Sequence, residues 1–97
     1  MADSPVNDAP YRIIEDVQFG AGVVVWSFTN LYGCRIGSET RIGAHVEIGR
    51  GVVIGARCKI QSHAFVCDGV EIGDEVFVGH GVMFINDRRP LAVRAAR

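Results

Sequence analysis

The stretch "RIGAHVEIGRGVVIGARCKI", residues 41–60, brings back an isoleucine every six residues. A helix would place apolar residues three or four apart and a strand would alternate them, so neither explains a period of six by itself. The same step continues in both directions from this stretch and gives an unbroken apolar series, Ile36, Ile42, Ile48, Ile54, Ile60, Val66, Ile72, Val78 and Phe84. The repeating unit of the chain is therefore a hexad.

A second set of residues lies two positions before each member of this series and is small or β-branched, from Cys34 to Val82. Both sets are predicted to face inward. Glycine often follows the apolar series, as at Gly37 and Gly43, which fits a corner where a neighbouring backbone approaches closely. Toward the N-terminus the period returns after a shift of one residue, at Ile13, Phe19, Val25 and Leu31, because the unit of residues 31–35 is one residue short.

A short strand followed by a tight corner cannot bury its apolar side alone, so such units must stack on one another as a parallel β-helix. If three units close one turn, residues 18 apart lie above one another at about 4.8 Å. The pattern predicts an all-β domain of about four triangular coils over residues 1–97. Within it we expect an N-terminal cap segment (1–12), hexapeptide coils (13–89) and a C-terminal tail (90–97).

Composition narrows the class of protein. The chain is 48% hydrophobic and 22% charged with a formal net charge of −1, which does not favour nucleic acid as a partner. It has neither the features of a signal peptide nor an apolar run of membrane-spanning length, so we expect a cytoplasmic protein. Cys34, Cys58 and Cys67 lack the short paired spacing of a zinc or redox motif and are predicted to be reduced and mostly buried.

The hexads "IGAHVE" and "IGARCK" resemble those of the left-handed β-helix, or hexapeptide-repeat, acyltransferases. Residues 25–37 and 58–90 are similar to bacterial nucleotide-sugar N-acetyltransferases, which act on amino sugars of surface polysaccharides. The resemblance implies a left-handed coil, a homotrimer with sites between neighbouring prisms, and acetyl-CoA as co-substrate. The match ends after Pro90, where relatives add the coils that usually hold coenzyme A, so the chain resembles an incomplete member and no cofactor-binding residue is assigned.

The histidines are the most informative polar residues. His45 and His63 are 18 apart and His80 follows 17 later, so the three-sided coil predicts that they share one wall. Acetyl transfer to an amine needs a proton acceptor, and histidine titrates in the right range. His63 or His80 could accept the proton across a subunit groove, and His63 is predicted to be catalytic. The resemblance implies a second catalytic residue, Asn86, whose amide would donate to the oxyanion. It also implies a substrate site lined by Gln61, Ser62, Asp68 and Asp87, to which the shared wall adds His80.

The sequence allows several alternatives. The histidines could hydrogen-bond at a trimer interface of a non-catalytic scaffold or fragment, and Asn86 could cap the last strand. The histidine wall also resembles the zinc site of γ-class carbonic anhydrases, but their third ligand comes five residues after the second, a spacing absent here, so no metal is expected. Trp26 and Tyr32 could stack on a nucleotide base or pack under the N-terminal segment.

Overall fold

A computed structural model describes residues 7–86, which form twelve short strands and no helix. The strands assemble into three parallel sheets of four strands each, so the chain winds as a three-sided β-solenoid of about four turns. This confirms the all-β stacked-coil architecture predicted from the six-residue period. The strands are β1 (Ile13–Glu15), β2 (Gln18–Phe19), β3 (Val24–Val25), β4 (Asn30–Tyr32), β5 (Arg35–Ile36), β6 (Arg41–Ile42), β7 (Glu47–Ile48), β8 (Val53–Ile54), β9 (Lys59–Ile60), β10 (Phe65–Val66), β11 (Glu71–Ile72) and β12 (Phe77–Val78).

Each sheet is one face of the solenoid. Face 1 contains β1, β4, β7 and β10; face 2 contains β2, β5, β8 and β11; face 3 contains β3, β6, β9 and β12. In the upper coils the pairing follows the predicted 18-residue step, as where Ile42 pairs with Ile60. Between the first two coils the step is 17, as where Phe19 pairs with Ile36, because the unit of residues 31–35 is one residue short.

The first coil corrects one prediction. Ile13 is 61% exposed, and it is Ile14 that packs against the core and pairs with Leu31. The unit from Ile14 to Phe19 has five residues, like the unit from Leu31 to Ile36 that stacks on it. With two adjacent isoleucines, the apolar period alone could not decide which of them faces inward.

The interior is a continuous stack of aliphatic side chains, and the inward sets of the middle coils are almost completely buried. The two buried polar side chains of the described residues are both satisfied. Thr29 Oγ1 donates to Trp26 O (3.2 Å), and Thr40 Oγ1 donates to Gly55 O (2.8 Å) and accepts from Cys58 N (3.0 Å). The three cysteines are buried and unpaired, as predicted. Burial raises the pKa of the Cys34 thiol to about 11, so this sulfur stays protonated and unreactive at neutral pH.

Glycine at the corners is explained by close packing between coils. A Cβ on Gly37 would overlap the backbone carbonyl of Gly55, 18 residues later, and a Cβ on Gly55 would meet the carboxylate of Asp74. That carboxylate accepts a hydrogen bond from Ala56 N (2.8 Å). The glycines therefore let each coil lie directly against the next, as the sequence predicted.

The N-terminal edge of face 3 is fastened by side chains that precede the first strand. Asn7 Oδ1 accepts from Val25 N (2.8 Å), and Arg12 donates to Val25 O (3.0 Å) and to Asn7 O (2.8 Å). These contacts satisfy the outer backbone groups of β3 that would otherwise be an open sheet edge.

A polar contact also links the second and third coils on face 1. The Tyr32 hydroxyl donates to Glu47 Oε2 (2.7 Å), and the Arg50 guanidinium lies 5.9 Å from the Tyr32 ring centre. The bond to Glu47, together with burial, raises the pKa of Tyr32 from 10.0 to about 12. Because the folded pKa is the higher one, this stabilisation is complete below pH 10 and is lost as the pH rises through 12.

We therefore expect Tyr32→Phe to lower the free energy of unfolding at pH 8 by about 1 kcal/mol, a modest value since solvent screens this partly exposed pair. The difference from the wild type should shrink between pH 10 and 12. Urea denaturation across this range measures it. Tyr11→Phe, which removes the other tyrosine hydroxyl, should leave that pH dependence unchanged; an equal change in both variants would contradict the assignment to the Glu47 bond.

Candidate functional site

Each described corner of the solenoid contains one residue with a positive φ. At the corner between faces 1 and 2 these residues are Asp16 and glycines, which adopt this conformation at low cost. At the corner between faces 3 and 1, which we call the aromatic corner, they are Tyr11, Phe28, His45, His63 and, in the last coil, Gly81. Bulky rings are thus held in the left-handed region in four successive coils.

The four rings of the aromatic corner form one stack along the solenoid. The ring centres are 5.7 Å apart for Tyr11 and Phe28, 5.1 Å for Phe28 and His45, and 4.8 Å for His45 and His63. Neighbouring planes are within 15° of parallel. The predicted alignment of His45 and His63 is present, although it lies at a corner and not on a flat wall, and it extends to two aromatic rings that the prediction did not include.

His80 belongs to the same corner but makes a different contact. Its Nδ1 lies 2.8 Å from Ser62 Oγ, in the coil below. When Nδ1 carries the proton it donates to Ser62, and Nε2 is left with a free lone pair that can accept a proton. Ser62 can therefore fix the tautomer and orientation that a general base requires.

A concavity of about 300 Å³ opens between this corner and face 3. Its lining includes three residues of the predicted substrate site, Gln61, Ser62 and His80, together with Trp26, Arg41 and Lys59. Trp26 is 51% exposed, so the interpretation that it packs under the N-terminal segment is not supported by the described residues. Gly43 also lines the concavity, and its missing side chain lets the backbone of Gln61 and Ser62 approach closely.

Asp68 and Asn86 lie at the opposite end of face 1, at the corner with face 2. Asn86 Nδ2 donates to Asp68 O (2.8 Å), and Asp68 Oδ1 accepts from Arg50 N (2.9 Å). Both side chains therefore tie successive coils together, which is the capping role that was the alternative for Asn86. The remaining predicted residue, Asp87, lies outside the described residues.

One chain does not bring the two predicted catalytic residues together. His63 precedes β10 and Asp68 follows it, so the strand separates the two corners by about 15 Å at its usual rise per residue. Asn86 is held above Asp68 and shares that distance from His63. A site that uses both residues requires the second from a neighbouring chain.

The family described as bacterial transferase hexapeptide (six repeats) matches residues 33–67 and 51–86, more than half of the chain. The chain belongs to this hexapeptide transferase family. Over 82 residues it is also 37% identical to the "Bifunctional protein GlmU" of two strains of Acidithiobacillus ferrooxidans, covering 84% of this chain and 18% of each relative. The chain therefore spans about a fifth of the length of these curated relatives.

Membership in the hexapeptide transferase family supports an acyltransferase activity in general terms. Among residues 7–86, no three histidine, cysteine, aspartate or glutamate side chains lie close enough to hold a metal ion. Over the same range, no helix is long and apolar enough to cross a membrane.

Sequence reasoning missed Arg41 and Lys59 as residues of this hexapeptide transferase's concavity. They are 18 apart, both precede an inward isoleucine, and the structure pairs them as direct neighbours on face 3. Two like charges at one outward position of consecutive coils were the available signal.

Proposed function

We propose that this protein is an N-acetyltransferase that moves the acetyl group of acetyl-CoA to the amine of a nucleotide-linked amino sugar, in the cytoplasm and for surface polysaccharides. Membership in the hexapeptide transferase family and the resemblance of residues 58–90 support the reaction class. The observation that carries the proposal is the concavity in which His80, oriented by Ser62, lies beside Gln61.

In the reaction, the neutral amine attacks the thioester carbon and the carbon–sulfur bond of the resulting tetrahedral intermediate breaks. The amine loses a proton, which we assign to Nε2 of His80, and the departing coenzyme A thiolate takes up a proton. Histidine is the side chain that enzymes use most often for such a proton transfer. Ser62 acts through His80, as the group that holds the base in position.

His63 is a second histidine near the proposed base. Its ring stacks on His45 at 4.8 Å, and no side chain follows at Gly81 in the coil above. His63 is the neighbour in sequence of Ser62 and shares the aromatic corner with His80, so it is the alternative proton acceptor. Separate substitution of the two histidines distinguishes these roles.

Asn86 enters the proposed site from a second subunit. Its amide has two N–H groups and uses one for Asp68 O, which leaves one for the oxyanion of the intermediate. Because it lies across face 1 from the histidines, we propose a homotrimer with shared sites. Such an assembly would also cover outward apolar side chains of the upper coils, including Phe65, Phe77 and Met83.

The test is acetyl transfer by the purified chain, with acetyl-CoA and a panel of nucleotide-linked amino sugars, followed as free thiol and as N-acetyl product by mass spectrometry. We expect turnover with at least one acceptor, and His80→Ala should lower kcat by about 10²- to 10⁴-fold. Arg35→Gln, an exposed change on face 2, is the matched control and should keep full activity.

Absence of turnover with every acceptor would overturn the proposal. A loss confined to His63→Ala, with His80→Ala unchanged, would move the base to His63.

A non-catalytic trimeric scaffold is the second candidate. It is favoured by the structural use of the carboxylate of Asp68 and the amide of Asn86, which both link coils. It predicts a stable trimer without turnover, in which His63→Ala and His80→Ala alter assembly alone.

A further inference from the structure

The outward positions of face 3 form one vertical column through the four coils, Val24, Arg41, Lys59 and Phe77. Arg41 and Lys59 are paired in register, so their side chains leave adjacent strands about 4.8 Å apart. Like charges in directly opposed positions destabilise a sheet. On face 2 the single cation of the corresponding column, Arg35, has Gln18 below it and Val53 above it.

Within the described residues neither Arg41 nor Lys59 forms an ion pair, although Glu39 lines a neighbouring concavity together with both. The ion pair found in residues 7–86 joins Arg57 and Glu75 (3.0 Å), at the corner on the far side of face 3. Above and below the two cations the column is apolar, with Phe77 and Val24. Arg41 and Lys59 therefore present two exposed positive charges at a spacing that suits adjacent phosphate groups.

The concavity places these charges between two other recognisable groups. Trp26 comes from the first coil, Arg41 and Lys59 from the second and third, and His80 from the fourth. Four coils at the usual strand spacing put about 14 Å between the levels of Trp26 and His80. This order offers an aromatic surface, then two cations, then an oriented imidazole.

We propose that this concavity binds a nucleoside diphosphate, with the diphosphate on Arg41 and Lys59 and the base stacked on Trp26. Base stacking on an exposed aromatic ring and charge-assisted bonds to phosphate are the recognition chemistry that these side chains provide. The inference deepens the proposed function on which its biological meaning rests, because a sugar attached to the second phosphate would extend toward His80. A nucleotide-linked sugar and coenzyme A both contain a nucleoside diphosphate, so the test separates these two sources.

The chain contains a single tryptophan, so its intrinsic fluorescence reports on this site directly. We expect saturable quenching by UDP or by coenzyme A and none by uridine at the same concentrations. The apparent Kd should rise as NaCl is added, because salt screens exposed charges. Stronger quenching by UDP would assign the site to the acceptor nucleotide, and stronger quenching by coenzyme A would assign it to the donor.

Matched substitutions test the assignment of the diphosphate. Arg41→Gln and Lys59→Gln should each raise the Kd about tenfold or more, as expected for loss of one charged contact. Arg35→Gln on face 2 should leave the Kd unchanged, and circular dichroism checks that each variant is folded. Absence of saturable quenching by either nucleotide, or an equal effect of all three substitutions, would overturn the proposal.

These experiments distinguish a failure of the nucleotide site from a failure of the proposed acetyl transfer. A chain that binds UDP through Arg41 and Lys59 but acetylates no acceptor contradicts the proposed function alone. A chain that acetylates its acceptor with the same KM for both substrates in Arg41→Gln and Lys59→Gln contradicts the nucleotide site alone.

Discussion

Gly37→Ala is expected to destabilise the protein by about 3 kcal/mol, at the upper end of the cost of overpacking a close-packed interior. The new methyl group would overlap the Gly55 carbonyl group. This group is part of the backbone of the next coil, which cannot move aside as a flexible side chain can. For a domain of this size we expect the thermal midpoint to fall by about 15 °C. Thermal unfolding followed by circular dichroism measures the change.

Gly73→Ala is the matched control, because Gly73 occupies the same hexad position two coils above Gly37. A Cβ there has no heavy atom within 4 Å, and its φ lies outside the left-handed region. This substitution should leave the free energy of unfolding unchanged or raise it by about 0.5 kcal/mol, because alanine lowers the conformational entropy of the unfolded chain. If Gly37→Ala and Gly73→Ala had equal effects, close contact between coils would not be the reason for these glycines.

Mixing two inactive variants is expected to restore activity. His80→Ala and Asn86→Ala should each lose nearly all acetyl transfer, whereas the proposed trimers, formed from an equal mixture after joint refolding, should recover about a quarter of the wild-type rate. Recovery arises because a subunit with intact His80 then meets a neighbour with intact Asn86 in about one interface of four. The physical basis is the separation of the two residues across face 1.

Native mass spectrometry establishes that mixed trimers are present when the rate is measured. Mixed trimers without recovery would mean that the reacting groups come from one chain or that Asn86 takes no part. The variant that contains both substitutions, mixed with His80→Ala, is the negative control and should remain inactive, because no intact Asn86 site can then face an intact His80.

Most of the fold could be predicted from the sequence because the period of six constrains every unit in the same way. In each hexad an apolar residue such as Ile42 or Ile54 faces inward together with the small or β-branched residue two positions before it. The short unit after Leu31 was visible as a change of frame. The prediction was wrong at Ile13 because Ile13 and Ile14 are both apolar. The unit from Ile14 to Phe19 has five residues, so a constant step of six from Phe19 leads to the wrong isoleucine.

The site was less predictable because closeness in sequence does not give closeness in space on a solenoid. His63 and Asp68 are five residues apart, yet a strand places them at different corners. Ser62 and His80 are 18 apart and lie in hydrogen-bond contact. The 18-residue step identifies such vertical neighbours, and applied to charges it would also have found Arg41 and Lys59.

The ring stack has a consequence for how this protein tolerates change. Phe28, His45 and His63 have φ between 60° and 67°, a conformation that costs a non-glycine residue about 1–2 kcal/mol. Stacking of neighbouring rings returns only about 0.5–1.5 kcal/mol per contact. Backbone conformation and ring stacking thus oppose each other along this edge. Substitution by glycine would relieve the backbone strain, but at His63 it would also remove a side chain of the proposed site.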